Sequence, residues 1–142
     1  MPRNCAVIQL IIMNTLLLKH VGALENYGTL KNFTHKCIYK NQTCGDKVTM
    51  YLKINNKIIK KISYKTESCL ICQASCSIFS DCIKNKSLNN SMTITKEFIK
   101  SIFKKKLTLN GKWKKFKFLL NKNYFNRKGC ILVPFNALIK LR

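Results

Sequence analysis

The chain has 142 residues, 27 Lys and Arg against 5 Asp and Glu, and a formal net charge of +22. That length provides for one domain with one modest core, and beyond the N-terminal segment no apolar run approaches a membrane span. The positive balance favours anionic partners, although a Lys- and Asn-rich chain also drifts this way in an A+T-rich genome without selection for binding.

The N-terminus reads MPRNCAVIQLIIMNTLLLKHVGALENYG. Arg3 is a short positive region, residues 6–18 form an apolar run, and residues 21–23 are the small-residue pattern that a signal peptidase reads. A signal peptide over 1–23 and a single domain over 24–142 are therefore expected. A membrane anchor is disfavoured because the run is short and holds Gln9 and Asn14. Sequons at Asn32, Asn41, Asn85 and Asn89 fit a glycoprotein that is secreted to the extracellular space or sent to the lysosome. The secretory route argues against nucleic acid as a partner.

Residues 24–46 are polar and turn-rich, with at most one short strand. Val48, Met50, Leu52 and Ile54 then alternate with polar residues, the period of a strand with one buried face. Asn55-Asn56 is a turn signal, and Ile58, Ile62 and Tyr64 follow, so a hairpin of 47–54 and 57–65 is expected. The stretch ESCLICQASCSIFSDC places Cys69, Cys72, Cys76 and Cys82 close together. In an oxidising compartment such spacing reads first as disulfides. No metal is assigned, since no second pair stands at zinc-finger spacing and His35 is remote. The C-x-x-C of Cys69 and Cys72 lacks the setting of a redox motif. Seven cysteines follow residue 23, which leaves one unpaired or bridging between molecules; Cys72 is the candidate.

Residues 84–91 read as a polar loop. Residues 95–103 fit either a helix capped by Thr95 or an irregular strand. Asn110-Gly111 is a turn, followed by a strand that Trp113 opens and in which Phe116, Phe118 and Leu120 face one way. A second turn leads to a last strand from Cys130, with Pro134 at an edge. Two hairpins about a cysteine-tied loop make an all-β sandwich or cup, with room for one short helix.

The spacing Cys69-x6-Cys76-x5-Cys82, with Asn110-Gly111-Lys-Trp113 and Gly129-Cys130-Ile-Leu-Val133, resembles the ganglioside GM2 activator family of the MD-2-related lipid-recognition (ML) superfamily. The resemblance covers roughly residues 47–142. It implies a small disulfide-tied β-cup of immunoglobulin-like ML architecture. It implies bridges Cys69–Cys76 and Cys37–Cys130, with Cys44 as substitute partner for Cys82. It also implies a non-catalytic activator that extracts, carries or presents a lipid or glycolipid, with no cofactor and with a hydrolase or receptor as a further partner. The lipid-lining candidates are Val48, Met50, Leu52, Ile54, Ile62, Trp113, Phe116, Phe118, Ile131, Val133 and Phe135; the same residues would equally fill a closed core. Lys112, Lys114, Lys115 and Lys117 would contact an anionic membrane surface. A secreted cationic, toxin-like ligand for anionic glycans or a receptor is the alternative. Catalysis has little support: Glu25, Asp46, Glu67, Asp81 and Glu97 are scattered, and no nucleophile or phosphate-loop motif is present.

Overall fold

The computed structural model describes residues 2–104 and 108–141, with side chains from residue 7 onward. The first hairpin is present. Strands β2 (Lys47–Asn55) and β3 (Ile58–Glu67) pair antiparallel, with Met50 opposite Tyr64 and Leu52 opposite Ile62. Asn56 and Lys57 both take positive φ (51° and 64°), the twist that a two-residue hairpin turn needs, so the turn lies one residue later than expected. Strand β1 (His35–Lys40) pairs with the other edge of β2, giving the order β1-β2-β3.

The rest of the domain is helical, and the expected all-β cup does not form. Helix α1 (Pro2–Val21) packs on α2 (Leu70–Ile83), which is the cysteine-rich stretch itself. Ten of the fourteen residues of α2 are buried, including Cys72, Ala74, Ser75, Cys76, Ser77 and Phe79. Its small residues let neighbours approach from several sides, so it has no polar face wide enough to display a helical period. Helix α3 (Leu88–Ser101) starts inside the expected loop, where the Ser87 hydroxyl accepts the Asn90 N–H at 3.0 Å as an N-cap. Thr95 is buried within that helix and caps nothing.

The expected closing hairpin is replaced by short helical pieces. Gly111–Phe118 and Lys122–Arg127 are 3-10 turns, followed by α4 (Lys128–Ile131) and α5 (Val133–Ile139). With three residues per turn, Trp113, Phe116 and Leu119 share one side. Phe116 and Leu119 are fully buried. Pro134 sits in the first turn of α5, where its missing N–H costs nothing.

These elements enclose a filled core between the sheet and the helices. Val48, Met50, Leu52 and Ile62 of the sheet and Phe116, Ile131, Val133 and Phe135 of the helical side are each at most 5% exposed. Ile54, Trp113 and Phe118 are half-buried against them. Phe135 is the centre of an aromatic cluster, with ring centroids at 4.2 Å to Phe98, 4.6 Å to Phe79 and 5.3 Å to Phe116. The set expected to line a lipid cup is thus wall and filling of one closed core. On α1, Met13 is buried, Leu17 packs against the core, and His20 stacks on Phe118 at 5.4 Å. No described helix is long and apolar enough to cross a membrane.

Candidate metal centre

The loop between β1 and β2 is closed at its base, where the Asn41 N–H donates to the Asp46 carbonyl at 2.8 Å. Within it Gly45 takes φ +80°, a left-handed turn that glycine adopts without strain. That turn sets exposed Cys44 and buried Asp46 on either side of one residue. Cys69 is the N-cap residue of α2, and its N–H and thiol both donate to the Asp46 carboxylate, at 3.2 Å each. Cys130, buried in α4, brings its Sγ to 3.8 Å from that of Cys44. The ligand atoms of Cys44, Asp46 and Cys130 all lie within 4.8 Å of one another, and Cys69 joins them through Asp46.

Three thiols and one carboxylate from three separate segments therefore converge. The spacing suits a tetrahedral ion: at a metal–sulfur distance of about 2.3 Å, the edge between two sulfurs is about 3.8 Å. Burial pushes the Cys69 thiol up, and the acceptor Asp46 adds to that. Burial also holds Cys130 well above the ordinary thiol range, reinforced by Cys69 and Asp46. Two forces oppose this. Cys69 lies at the positive end of α2, and the Arg127 guanidinium stands beside Cys130, whose thiolate it would stabilise. Cys69 and Cys130 thus hold their protons when the site is empty, and binding a cation there releases them.

The other cysteines stand apart from this arrangement. All seven described cysteines are free thiols. Cys69 and Cys76 flank nearly two turns of helix, about 10 Å of rise, which is beyond disulfide reach. Cys82 lies at the far end of α2 from Cys44. Cys130 faces Cys44 rather than Cys37. Burial pushes Cys37 and Cys82 up to about 12. Cys76 is raised as well, by burial first and then by neighbouring Cys72. Of the four lysines assigned to a membrane surface, Lys112 and Lys115 hold Asp81 at 3.3 and 2.7 Å, while Lys114 and Lys117 are exposed beside them. Asn32, Asn85 and Asn89 are exposed, and Asn41 is half-buried.

In the sequence, Cys44, Cys69 and Cys130 stand out as disulfide partners, and Asp46 passes as a scattered acid. The signal that marks the site is local: Cys44-Gly45-Asp46 on a tight loop before a strand, with a cysteine at a helix start.

Fold and site together define a mixed α/β domain on which three cysteine thiols and one carboxylate converge in a geometry that suits a metal ion. The chain belongs to the NifU-like N-terminal domain family, whose profile matches residues 14–114. That span contains Cys44, Asp46 and Cys69. Among curated relatives, the zinc-dependent sulfurtransferase SufU of Bacillus subtilis is 31% identical over 83 residues, covering 58% of this chain and 56% of that protein. The iron-sulfur cluster assembly scaffold protein IscU of Thermotoga maritima is 28% identical over 100 residues, covering 70% of each chain. The solved structure of the N-terminal part of a nitrogen-fixing NifU-like protein from Brucella abortus matches in fold, with TM-score 0.76, 20% identity and 87% of each chain covered. The resemblance to the ML superfamily is overturned by the family match and by this fold. With it go the lipid or glycolipid cargo, the membrane surface and the activator role toward a hydrolase or receptor.

Proposed function

We propose that this chain is a scaffold on which an iron–sulfur cluster is assembled, with Cys44, Cys69 and Cys130 as thiolate ligands and Asp46 as the fourth donor. The observation that supports this most is the convergence of those four groups, three of them within the span that matches the family profile. The cluster is cargo here. The residues offer it three soft anionic ligands and one hard, more easily displaced oxygen. Cys44 is the exposed ligand and stands at the mouth, where iron and sulfur would arrive. Cys69 and Cys130 anchor the inner side, on α2 and α4. Arg127 supplies positive charge beside thiolates that together carry an anionic cluster.

A second reading has its own support. The same donors suit zinc, and the B. subtilis relative is described as a zinc-dependent sulfurtransferase. In that case the protein accepts sulfur on a cysteine instead of holding a cluster. Either reading needs reduced thiols, and so a reducing compartment. The packing of Met13, Leu17 and His20 supports α1 as a working part of the domain.

Anaerobic incubation of the full chain with ferrous iron and sulfide separates the two. A scaffold gains thiolate-to-iron charge-transfer bands and two or more irons per chain, both lost in the Cys69→Ser variant. A zinc protein instead retains one zinc, takes up no inorganic sulfide, and gains a single sulfur on one cysteine when given a small-molecule persulfide.

A further inference from the structure

The Cys44 loop also meets the Cys130 segment away from the ligand atoms, and that contact is a close one. Asn41 binds its own loop four times. Its N–H donates to the Asp46 carbonyl, and its carbonyl accepts the Gly45 N–H, both at 2.8 Å. Its side-chain Oδ1 accepts the N–H groups of Thr43 at 2.8 Å and Cys44 at 3.4 Å. The other end of the same amide, Nδ2, lies over Gly129. A Cβ at position 129 would fall 2.7 Å from that nitrogen, inside the contact distance of real side chains.

Gly129 is in α4 with right-handed helical backbone, so nothing in its own conformation asks for glycine. Glycine is a poor helix former, and alanine would suit that backbone better. What glycine supplies here is space. The Asn41 amide cannot swing away to make room, because its oxygen is pinned by Thr43 and Cys44. Gly129 immediately precedes Cys130, and the Asn41 oxygen receives the N–H of Cys44. The contact therefore spans the two residues whose sulfurs stand 3.8 Å apart.

We propose that Asn41 and Gly129 form a latch that sets the separation of the Cys44 and Cys130 ligands. They are positioning residues, acting through the ligands without touching the metal. The inference rests on the metal-centre reading above and adds to it the device that preorganises the site. It also gives Asn41 a use that conflicts with the sequon reading, since a glycan on Nδ2 would need the space that Gly129 leaves.

The test is a Co2+ titration of the full chain under reducing conditions, read by the sulfur-to-cobalt charge-transfer band. Wild type, N41A, N41D, G129A and N41A/G129A are compared, with far-UV circular dichroism and urea midpoints as controls for folding. Groups that orient a metal ligand typically change affinity by about 10–100-fold. N41A is expected to bind cobalt at least about tenfold more weakly, with an unchanged helical spectrum. N41D keeps the shape and the acceptor oxygen, and is expected to retain binding. G129A should also lose about tenfold while keeping an unchanged helical spectrum. The double variant should bind no worse than N41A, since the clash is gone once the amide is gone. N41A and G129A that both bind as wild type overturn the latch, and so do losses that multiply in the double variant. A wild-type chain that shows no charge-transfer band removes the metal-centre reading instead, and the latch with it.

Discussion

Phe135→Ala is the sharpest test of whether the space between sheet and helices is filled. Phe135 is fully buried and packs against the rings of Phe98, Phe79 and Phe116. Removing it deletes an aromatic side chain from a closed core, a change that costs about 3–5 kcal/mol. The stacked Phe98 partner and the edge-on Phe79 partner place the loss in the upper half of that range, since such pairs add about 0.5–1.5 kcal/mol each beyond burial. A small domain has about 5–15 kcal/mol in all, so the variant should remain folded but close to its limit. With a urea dependence of about 2 kcal/mol per molar, the midpoint should fall by about 2 M. Equilibrium urea unfolding followed by the single tryptophan is the assay. Trp113 lies 6.1 Å from the Phe135 ring and reports on the same cluster. Phe135→Leu, which keeps most of the volume, should lose far less. A loss below about 1 kcal/mol for Phe135→Ala would refute the reasoning, because only a side chain facing open space is removed so cheaply.

Four further outcomes follow from the site and the packing. Cys44→Ser, Cys69→Ser, Cys130→Ser and Asp46→Ala should each weaken zinc or cobalt binding at least tenfold, whereas Cys37→Ser and Cys82→Ser should leave it intact, as measured by competition with a chromophoric chelator. Metal affinity should rise between pH 6.5 and 8, because raised thiols at Cys69 and Cys130 must release protons on binding; each proton released contributes up to about tenfold per pH unit. Without metal, stability should fall above pH 9. Cys37 and Cys82 hold their protons to about 12 when folded but to an ordinary 9.0 when unfolded, so the unfolded chain binds fewer protons across that window. The slope is about 1.4 kcal/mol per pH unit for each thiol, read from urea midpoints in alkaline buffers. Deleting residues 2–23 should cost about 2–5 kcal/mol, because Met13 and Leu17 leave apolar surface on α2 uncovered; a truncated chain as stable as the full one would instead favour a removable leader.

What the sequence made legible is the part of the fold that is half-buried. β2 and β3 have one wet face and one dry face, so Val48, Met50 and Leu52 betray them by alternation. Helix α2 is buried on several sides, and its Ser and Cys residues carry neither a polar stripe nor a strong apolar one, so no period shows. In 113–120 two spacings compete. Phe116, Phe118 and Leu120 suggest a strand, whereas Trp113, Phe116 and Leu119 suggest a three-residue turn, and burial of Leu119 decides for the second. The site was half legible. Its cysteines stood out, but the oxidising compartment expected from residues 6–18 made disulfides the first reading, whereas the described cysteines are all free thiols. Asp46 was invisible as a ligand because its partners lie 23 residues away at Cys69 and farther still at Cys130.

On the scaffold reading, the placement of the four donors would make the cargo a cross-link. A metal held by Cys44, Cys69 and Cys130 ties a loop, the start of the central helix and the C-terminal segment into closed rings, as two disulfides would. Metal bound only by the folded state adds RT ln(1 + [L]/Kd) to the empty stability. Cys130 lies five residues before Phe135, so the segment that carries the core's central ring is also the segment that the metal fastens. On the scaffold reading, loading would mark each copy physically: the loaded molecule would resist opening, and the idle one would be the copy that a protease reaches first.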